Sequence, residues 1–134
     1  MAVEGRKHKL TDALHSLYPM NAADICFWID RDNTVAGLEW ITENAGDRVK
    51  PTQAEVDPEI ARLDQDKALE LLRAERDKRI AVTDWTQNPD VPSATSNKWK
   101  AYRQALRDIP DTAFPKLNDW GMLDDASVTW PTEP

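Results

Sequence analysis

The residues best suited to metal chemistry lie near the start of the sequence. His8, Asp12 and His15 are spaced i, i+4 and i+7, which on one helix would bring three metal ligands to a single face. The sequence shows no fourth ligand at a suitable spacing, and the first predicted helix begins after His8. We therefore predict no metal site.

Two further segments have candidate chemistry. Cys26 is the single cysteine, which excludes an internal disulfide, and within the apolar run 25–29 it is expected to be a buried, unreactive thiol. Residues 30–41 begin like a calcium-binding loop, but Val35 stands at the sixth position, where glycine is needed. Ile41 stands at the twelfth, where glutamate is needed. No glycine-rich phosphate loop or zinc spacing occurs, so we predict that the chain is not an enzyme.

Composition limits the classes of partner. The 134 residues carry a formal net charge of -7, which would repel the phosphate backbone of nucleic acid. No window approaches the apolar length of a membrane span, and no apolar segment follows the basic residues at the start, as a signal peptide would require. Six tryptophans exceed what a core of this size needs, and tryptophan is enriched where proteins meet. We predict no nucleic acid partner and no membrane partner.

The first fifty residues predict a helix and a β-hairpin. Helical apolar spacing predicts a helix over 11–18, capped by Thr11 and ended by Pro19. The strand formers of 25–29 and 34–41 flank a turn-prone segment and predict two antiparallel strands. Residues 43–52 are polar and predict a loop.

A long helix follows, with two candidate starts. Thr52 and Glu55 have the form of a capping box, whereas Asp57 followed by Pro58 offers a cap with proline at the first helical position. We favour a start at Pro58, because a helix capped by Thr52 would contain this proline, and an end near Thr83. The apolar stripe changes sides along this helix, which predicts contact with two different surfaces. One side carries Val56, Ile60, Leu63 and Leu71, and the other Leu69, Leu72 and Ile80.

The remaining chain predicts a second helix and a tail. A helix is predicted from near Ser96 to Pro110, forming a hairpin with the long helix. The predicted fold class is α+β, mainly helical. Three parts are predicted: the helix and β-hairpin module 1–52, the helical hairpin 53–110, and the extended aromatic tail 111–134.

Four segments of the second half form a recognisable combination. They are an arginine-rich helix at 72–80, an Asp-Trp-Thr turn at 84–86, a Pro-Asp-x-Pro connector at 89–92, and a Trp-x-x-Tyr-Arg-x-x-Leu-Arg-Asp-x-Pro helix at 99–110. Residues 69–110, with Trp130-Pro131, resemble the phage tail assembly chaperone family. The structural positions of this motif are Arg73, Arg76, Asp84, Leu106, Asp108 and Pro110.

The resemblance implies a protein that acts by binding a phage tail or tail-fibre protein in the host cytoplasm during assembly. It implies no cofactor and no reaction. The alternative is a permanent structural subunit of the virion tail, such as a baseplate, neck or fibre-attachment component, retained as an oligomer within the particle.

Aromatic residues and one arginine are the predicted partner-binding positions, because these types dominate the energetics of protein interfaces. Two interpretations stay open for the hairpin residues: they bind the partner, or they form the core while Arg103 or Arg76 pairs with Asp84 or Asp108. For the tail we favour partner binding, since a segment without periodicity needs another surface to cover its tryptophans. The predicted positions are Trp85, Trp99, Tyr102, Arg103, Trp120 and Trp130.

Overall fold

The computed structural model describes residues 9–20, 24–29 and 34–134. The chain divides into two compact units. The N-terminal unit comprises Met1–Asp64 with Asp119–Gly121, and the C-terminal unit comprises Gln65–Asn118 with Met122–Pro134. The fold is mainly helical with one small sheet, which confirms the predicted α+β class. Whether 1–52, 53–110 and 111–134 each behave as a separate part stays a prediction.

The N-terminal unit begins with helix α1, Leu10–Leu17. Its first turn is capped by Asp12, whose carboxylate accepts a hydrogen bond of 2.7 Å from the Lys9 backbone, and not by Thr11 as predicted. Strands β1, Phe27–Ile29, and β2, Leu38–Trp40, pair antiparallel with Phe27 opposite Trp40. The predicted hairpin is confirmed. Residues 30–33, where the sequence begins like a calcium-binding loop, lie outside the described residues.

A short helix and a mixed core complete this unit. Helix α2, Thr42–Ala45, occupies part of the segment predicted as a loop, so that prediction was wrong for these residues. The core joins buried side chains from α1, the hairpin and the helix that follows. Its members are Leu10, Ala13, Leu14, Cys26, Phe27, Val35, Leu38, Ala45 and Val56.

Helix α3 spans Gln53–Ala81, so the predicted start at Pro58 was wrong. The rejected capping box forms: the Glu55 backbone N–H donates to the Thr52 hydroxyl at 3.3 Å, and the Thr52 backbone N–H donates to the Glu55 carboxylate at 3.4 Å. A proline inside a helix costs roughly 3 kcal/mol. Burial of Val56, worth about 1.5–3 kcal/mol, and a cap worth about 1 kcal/mol offset this cost.

The predicted change of face along α3 is confirmed. Val56 belongs to the core of the N-terminal unit, with Ile60 packed against it. Leu72 belongs to a separate core cluster in the C-terminal unit, with Leu69 and Ile80 at its edge. The helix therefore supplies apolar residues to both units.

Helix α4 spans Ser93–Thr112 and is longer than predicted at both ends. It begins directly after Pro92, whose carbonyl accepts the first helical hydrogen bond, from Ser96, at 2.9 Å. It also continues past Pro110, and the Ala113 backbone N–H still donates to Ile109 at 2.8 Å. Because Pro110 lies in the last turn, it removes only one hydrogen bond and does not end the helix there.

The C-terminal unit has its own core. Leu72 of α3 packs with Tyr102, Leu106 and Ile109 of α4, as the predicted hairpin requires. Val128 from the tail completes this cluster, with Trp99, Ala113, Leu123 and Trp130 partly buried against it. The segment after α4 therefore packs on the hairpin and does not extend away from it. From the sequence we favour the extended tail over this packing, so the structure shows the less favoured interpretation.

Candidate protein-interaction surface

Arg103 joins the two halves of the sequence motif. Its Nη1 donates hydrogen bonds to the carbonyl of Ile80 at 3.0 Å, to the hydroxyl of Thr83 at 2.8 Å and to the carboxylate of Asp84 at 2.8 Å. The Arg103 side chain is only 12% exposed. A residue of α4 therefore adds a donor to a carbonyl at the end of α3, which the Thr83 backbone N–H also bonds at 3.0 Å, and it ties α4 to the turn that follows.

Two buried threonines complete this turn. The Thr83 hydroxyl donates to the Ile80 carbonyl at 2.7 Å, and the Thr86 hydroxyl donates to the Thr83 carbonyl at 2.6 Å. Gln87 in turn donates to the Thr86 hydroxyl at 3.0 Å and to the Ser96 carbonyl of α4 at 3.3 Å. These hydrogen bonds hold the 3-10 turn Asp84–Gln87 against the start of α4, as a satisfied polar network does.

Three aromatic rings run outward from the core at this turn. Tyr102 is buried and meets Trp99 edge to face, with ring centroids 5.6 Å apart. Trp99 is partly buried and meets Trp85 in the same way at 6.0 Å. Trp85 remains 54% exposed, and Val82 just before it is 68% exposed. We call the exposed parts of Val82, Trp85 and Trp99 the hairpin-tip surface.

The two interpretations of the hairpin residues thus apply to different residues. Tyr102 is core, and Arg103 pairs with Asp84, as the core interpretation proposed. Trp85 is not core, because about half of its surface is open. The structure therefore brings Trp85, Trp99, Tyr102 and Arg103 together and leaves the outermost indole accessible.

The other structural positions of the motif lie outside the turn fixed by Arg103. Leu106 is fully buried in the core, and Pro110 lies in the last turn of α4. Arg76 pairs with Asp77 at 2.8 Å, and Asp108 accepts a hydrogen bond from Gln104 at 2.9 Å, so neither makes the predicted alternative pairing. Arg73 is exposed on α3.

The two tail tryptophans have different surroundings. Trp120 lies in the loop between Leu117 and Leu123, which form an isolated antiparallel bridge, and it is 77% exposed. The loop closes through Gly121, whose φ of 73° favours glycine. Trp130 instead packs at the edge of the C-terminal core with the Arg79 guanidinium 4.1 Å from its ring centroid. Its own chain therefore covers part of the ring that we expected a partner to cover.

Two exposed apolar residues of the tail were not among the predicted partner-binding positions. Phe114 is 82% exposed and Met122 is 50% exposed, and both lie in the segment 111–134 with the predicted Trp120 and Trp130. Thr83 and Thr86, the polar centre of the turn, were missed as well, although they flank Asp84 and Trp85 in the motif. A threonine pair around an Asp-Trp step was the available signal, since buried hydroxyls commonly satisfy turn carbonyls.

The chemical candidates of the N-terminal unit have structural roles. Asp12 caps α1, and the His15 ring meets Phe27 edge to face at 5.6 Å. Cys26 is buried with its Sγ 3.3 Å from the Met20 sulfur, as the predicted core thiol. His8 lies outside the described residues, and within the described part of the chain no three metal-ligating side chains cluster.

One carboxyl group in the N-terminal unit is strongly perturbed. Hydrogen bonds from Arg62, at 3.0 Å from Nε, and from the Ser16 hydroxyl, at 2.6 Å, lower the pKa of Glu59 to about 2. These contacts tie α1 to α3. They stabilise structure, since no nucleophile or ligand set accompanies them in the described part of the chain.

Comparison with known proteins identifies the second half of the chain. Neither a curated protein nor a solved structure matches the chain significantly. None of the helices in the described residues is both long and apolar enough to cross a membrane. Residues 69–134 match the family model of the phage tail assembly chaperone protein, and this match includes the whole turn fixed by Arg103. The resemblance read from the sequence is therefore confirmed for residues 69–134, which match the phage tail assembly chaperone family.

Proposed function

We propose that this chain assists phage tail assembly in the host cytoplasm by binding a tail or tail-fibre protein through the hairpin-tip surface. The family implies a tail protein as partner and an assembly role rather than a reaction. The observation that carries the proposal is the exposure of Trp85 on a turn whose polar groups are satisfied by Arg103, Thr83 and Thr86. A rigid, exposed indole is the kind of residue that anchors protein interfaces.

The energy available at this position is large enough to matter. Tryptophan carries roughly 250 Å² of surface, so covering the open half of Trp85 would remove about 100 Å² or more from water. At about 25 cal/mol per Å², this burial contributes roughly 2.5 kcal/mol to binding. That is the magnitude of an interface hot spot.

The predicted roles of the tail tryptophans differ in their support. The exposure of Trp120 favours its proposed role as a second partner contact. Trp130 has weaker support, because its ring packs on Arg79 and is partly buried against the C-terminal core. Its partner-binding role stays a prediction.

The proposal is tested by measuring affinity of the full chain for each purified tail and tail-fibre protein of the same phage. We expect Trp85→Ala to weaken binding of the partner at least about 30-fold with unchanged circular dichroism. Phe114→Ala is the matched control, an exposed aromatic beyond the other end of α4, roughly 20 Å along the helix from Trp99. Equal affinity of wild type and Trp85→Ala would reject the hairpin-tip surface.

The alternative, a permanent subunit of the virion tail, makes a different prediction about the particle. A chaperone leaves its partner before the particle is complete, whereas a subunit stays at fixed stoichiometry. Mass spectrometry of purified particles separates the two, and we expect this chain to be absent.

A further inference from the structure

Helix α4 carries positive charge that its own chain does not neutralise. Lys100 and Arg107 are exposed, and neither makes a hydrogen bond or ion pair with any residue that the structure describes. On α3, Arg76 pairs with Asp77 and Glu75 pairs with both Arg79 and Lys78, while Arg73 is exposed and makes no such contact with the described residues. In a chain of net charge -7, α4 thus carries two uncompensated cations on one side, roughly two turns apart.

The two cations lie beside the hairpin-tip surface. At 100° per residue, Trp99, Arg103, Lys100 and Arg107 fall within an arc of roughly 100° on α4. This arc borders the buried face formed by Tyr102, Leu106 and Ile109. Arg103 is occupied by the turn, so within this arc Lys100 and Arg107 are the charges left for a partner. We call Lys100 and Arg107 the basic strip.

We propose that the hairpin-tip surface binds an acidic apolar peptide segment, with apolar side chains on Trp85 and Trp99 and carboxylates on the basic strip. This inference rests on the proposed function and names the chemistry of its partner. The net negative charge of this chain repels carboxylates, whereas the two positive charges of the strip attract an acidic segment to the side of α4 next to Trp99. A second copy of the chain and nucleic acid are the competing occupants.

The test uses three labelled peptides and the full chain. All three share leucine and phenylalanine positions, and the remaining positions are glutamate, glutamine or lysine. Two exposed ion pairs are each worth about 0.2–1 kcal/mol, so we expect the glutamate peptide to bind about fivefold more tightly than the glutamine peptide. The lysine peptide should bind most weakly. The glutamate preference should shrink as salt rises from roughly 0.05 to 0.5 M.

Variants assign the preference to named residues. The double substitution Lys100→Gln with Arg107→Gln should make the glutamate and glutamine peptides bind equally. Lys98→Gln is the matched control, because Lys98 is an exposed lysine of the same helix on the opposite flank of the buried face. It should keep the full preference. Trp85→Ala should weaken all peptides alike, since it removes the apolar contact.

Specific results would overturn the inference. Equal binding of the glutamate and glutamine peptides by the wild-type chain would rule out the proposed acidic partner. A glutamate preference that persists in the double variant would rule out the basic strip as its binding site. Binding of single-stranded DNA as tightly as the glutamate peptide would show a phosphate site instead. Dimerisation that the double variant abolishes would show a second copy as the occupant. None of these outcomes alters the Trp85→Ala test against tail proteins, so the two proposals fail separately.

Discussion

Apart from Trp120, which is 77% exposed and lies in the short segment Asp119–Gly121 of the N-terminal unit, the described aromatic side chains of the two units differ in exposure. In the N-terminal unit Phe27 is buried, and Tyr18 and Trp40 pair edge to face at 6.1 Å with both rings partly covered. In the C-terminal unit the rings lead outward from Tyr102 to a half-exposed Trp85. Aromatic exposure beside a complete core indicates a surface kept for another polypeptide.

The units also differ in what holds them together. The sheet of the N-terminal unit has two strands of three residues each, too small for independent stability, so its core depends on packing by α1 and Val56. The C-terminal unit fixes its turn with a buried polar network around Arg103. Such a network specifies one geometry, and this suits a unit that must present one side chain in a fixed position.

The largest effect is expected from removing one buried side chain from the core of each unit separately, which tests the comparison of the two units. Leu106→Ala should lower the free energy of unfolding of the C-terminal unit by about 2–5 kcal/mol, because it leaves a cavity at a fully buried site. Leu14→Ala should cost the N-terminal unit a similar amount. Denaturant unfolding measures both. Only Leu106→Ala should also weaken tail-protein binding, and an equal loss from Leu14→Ala would end the assignment of binding to the C-terminal unit.

A second substitution tests whether the polar network fixes the turn. Arg103→Ala should cost about 2 kcal/mol, because it removes two hydrogen bonds, to the Ile80 carbonyl and the Thr83 hydroxyl, made by a side chain that is only 12% exposed. The exposed ion pair with Asp84 adds little to this figure. Arg107→Ala, four residues along α4, should change the free energy of unfolding by less than about 0.5 kcal/mol. Equal thermal stability of the two variants would mean that the network does not fix the turn.

The start of α3 can be tested in the N-terminal unit. Thr52→Ala should cost about 1 kcal/mol by removing one side of the capping box with Glu55. Asp57→Ala lies one turn inside the helix and should cost about half as much or less. Urea unfolding of the two variants provides the measurement. A larger loss of unfolding free energy from Asp57→Ala than from Thr52→Ala would indicate that the helix begins at Pro58.

The smallest expected effect concerns pH and the N-terminal unit. Because the pKa of Glu59 falls from 4.5 to about 2 on folding, its ionised form stabilises the fold above about pH 4.5. That stabilisation is lost as the pH falls toward 2. Arg62 is 53% exposed, so we expect less than about 1 kcal/mol. The midpoint temperature of thermal unfolding should fall more steeply over this pH window for the wild type than for Glu59→Gln. Parallel curves of midpoint temperature against pH would contradict the role given to Glu59.

Much of the fold follows from patterns that the sequence displays directly. The apolar stripe of α3 placed Val56 and Leu72 in different cores, and the spacing of Trp99, Tyr102 and Leu106 identified the face of α4 that packs on α3. These assignments succeeded because burial of a periodic apolar face dominates the energy of a helix.

The errors arose where local rules were outweighed by tertiary contacts. Pro58 and Pro110 lie inside helices whose packing offsets one lost hydrogen bond each. The partner-binding role of Trp130 stays a prediction, although Arg79 and the C-terminal core partly cover its ring, which no periodicity in the tail could show. The network around Thr83 and Thr86 joins residues of α3, the turn and α4, which sequence spacing alone does not connect.

The most direct test of the hairpin-tip surface is hydroxyl-radical footprinting of the full chain, alone and bound to its tail partner. The reactivity of a tryptophan reports the accessibility of its own ring, so Trp85 and Trp99 can be compared with Trp40 of the N-terminal unit. We predict that binding strongly lowers the reactivity of Trp85, lowers that of Trp99 less, and leaves Trp40 unchanged. Protection of Trp40 with Trp85 as reactive as in the free chain would contradict the account.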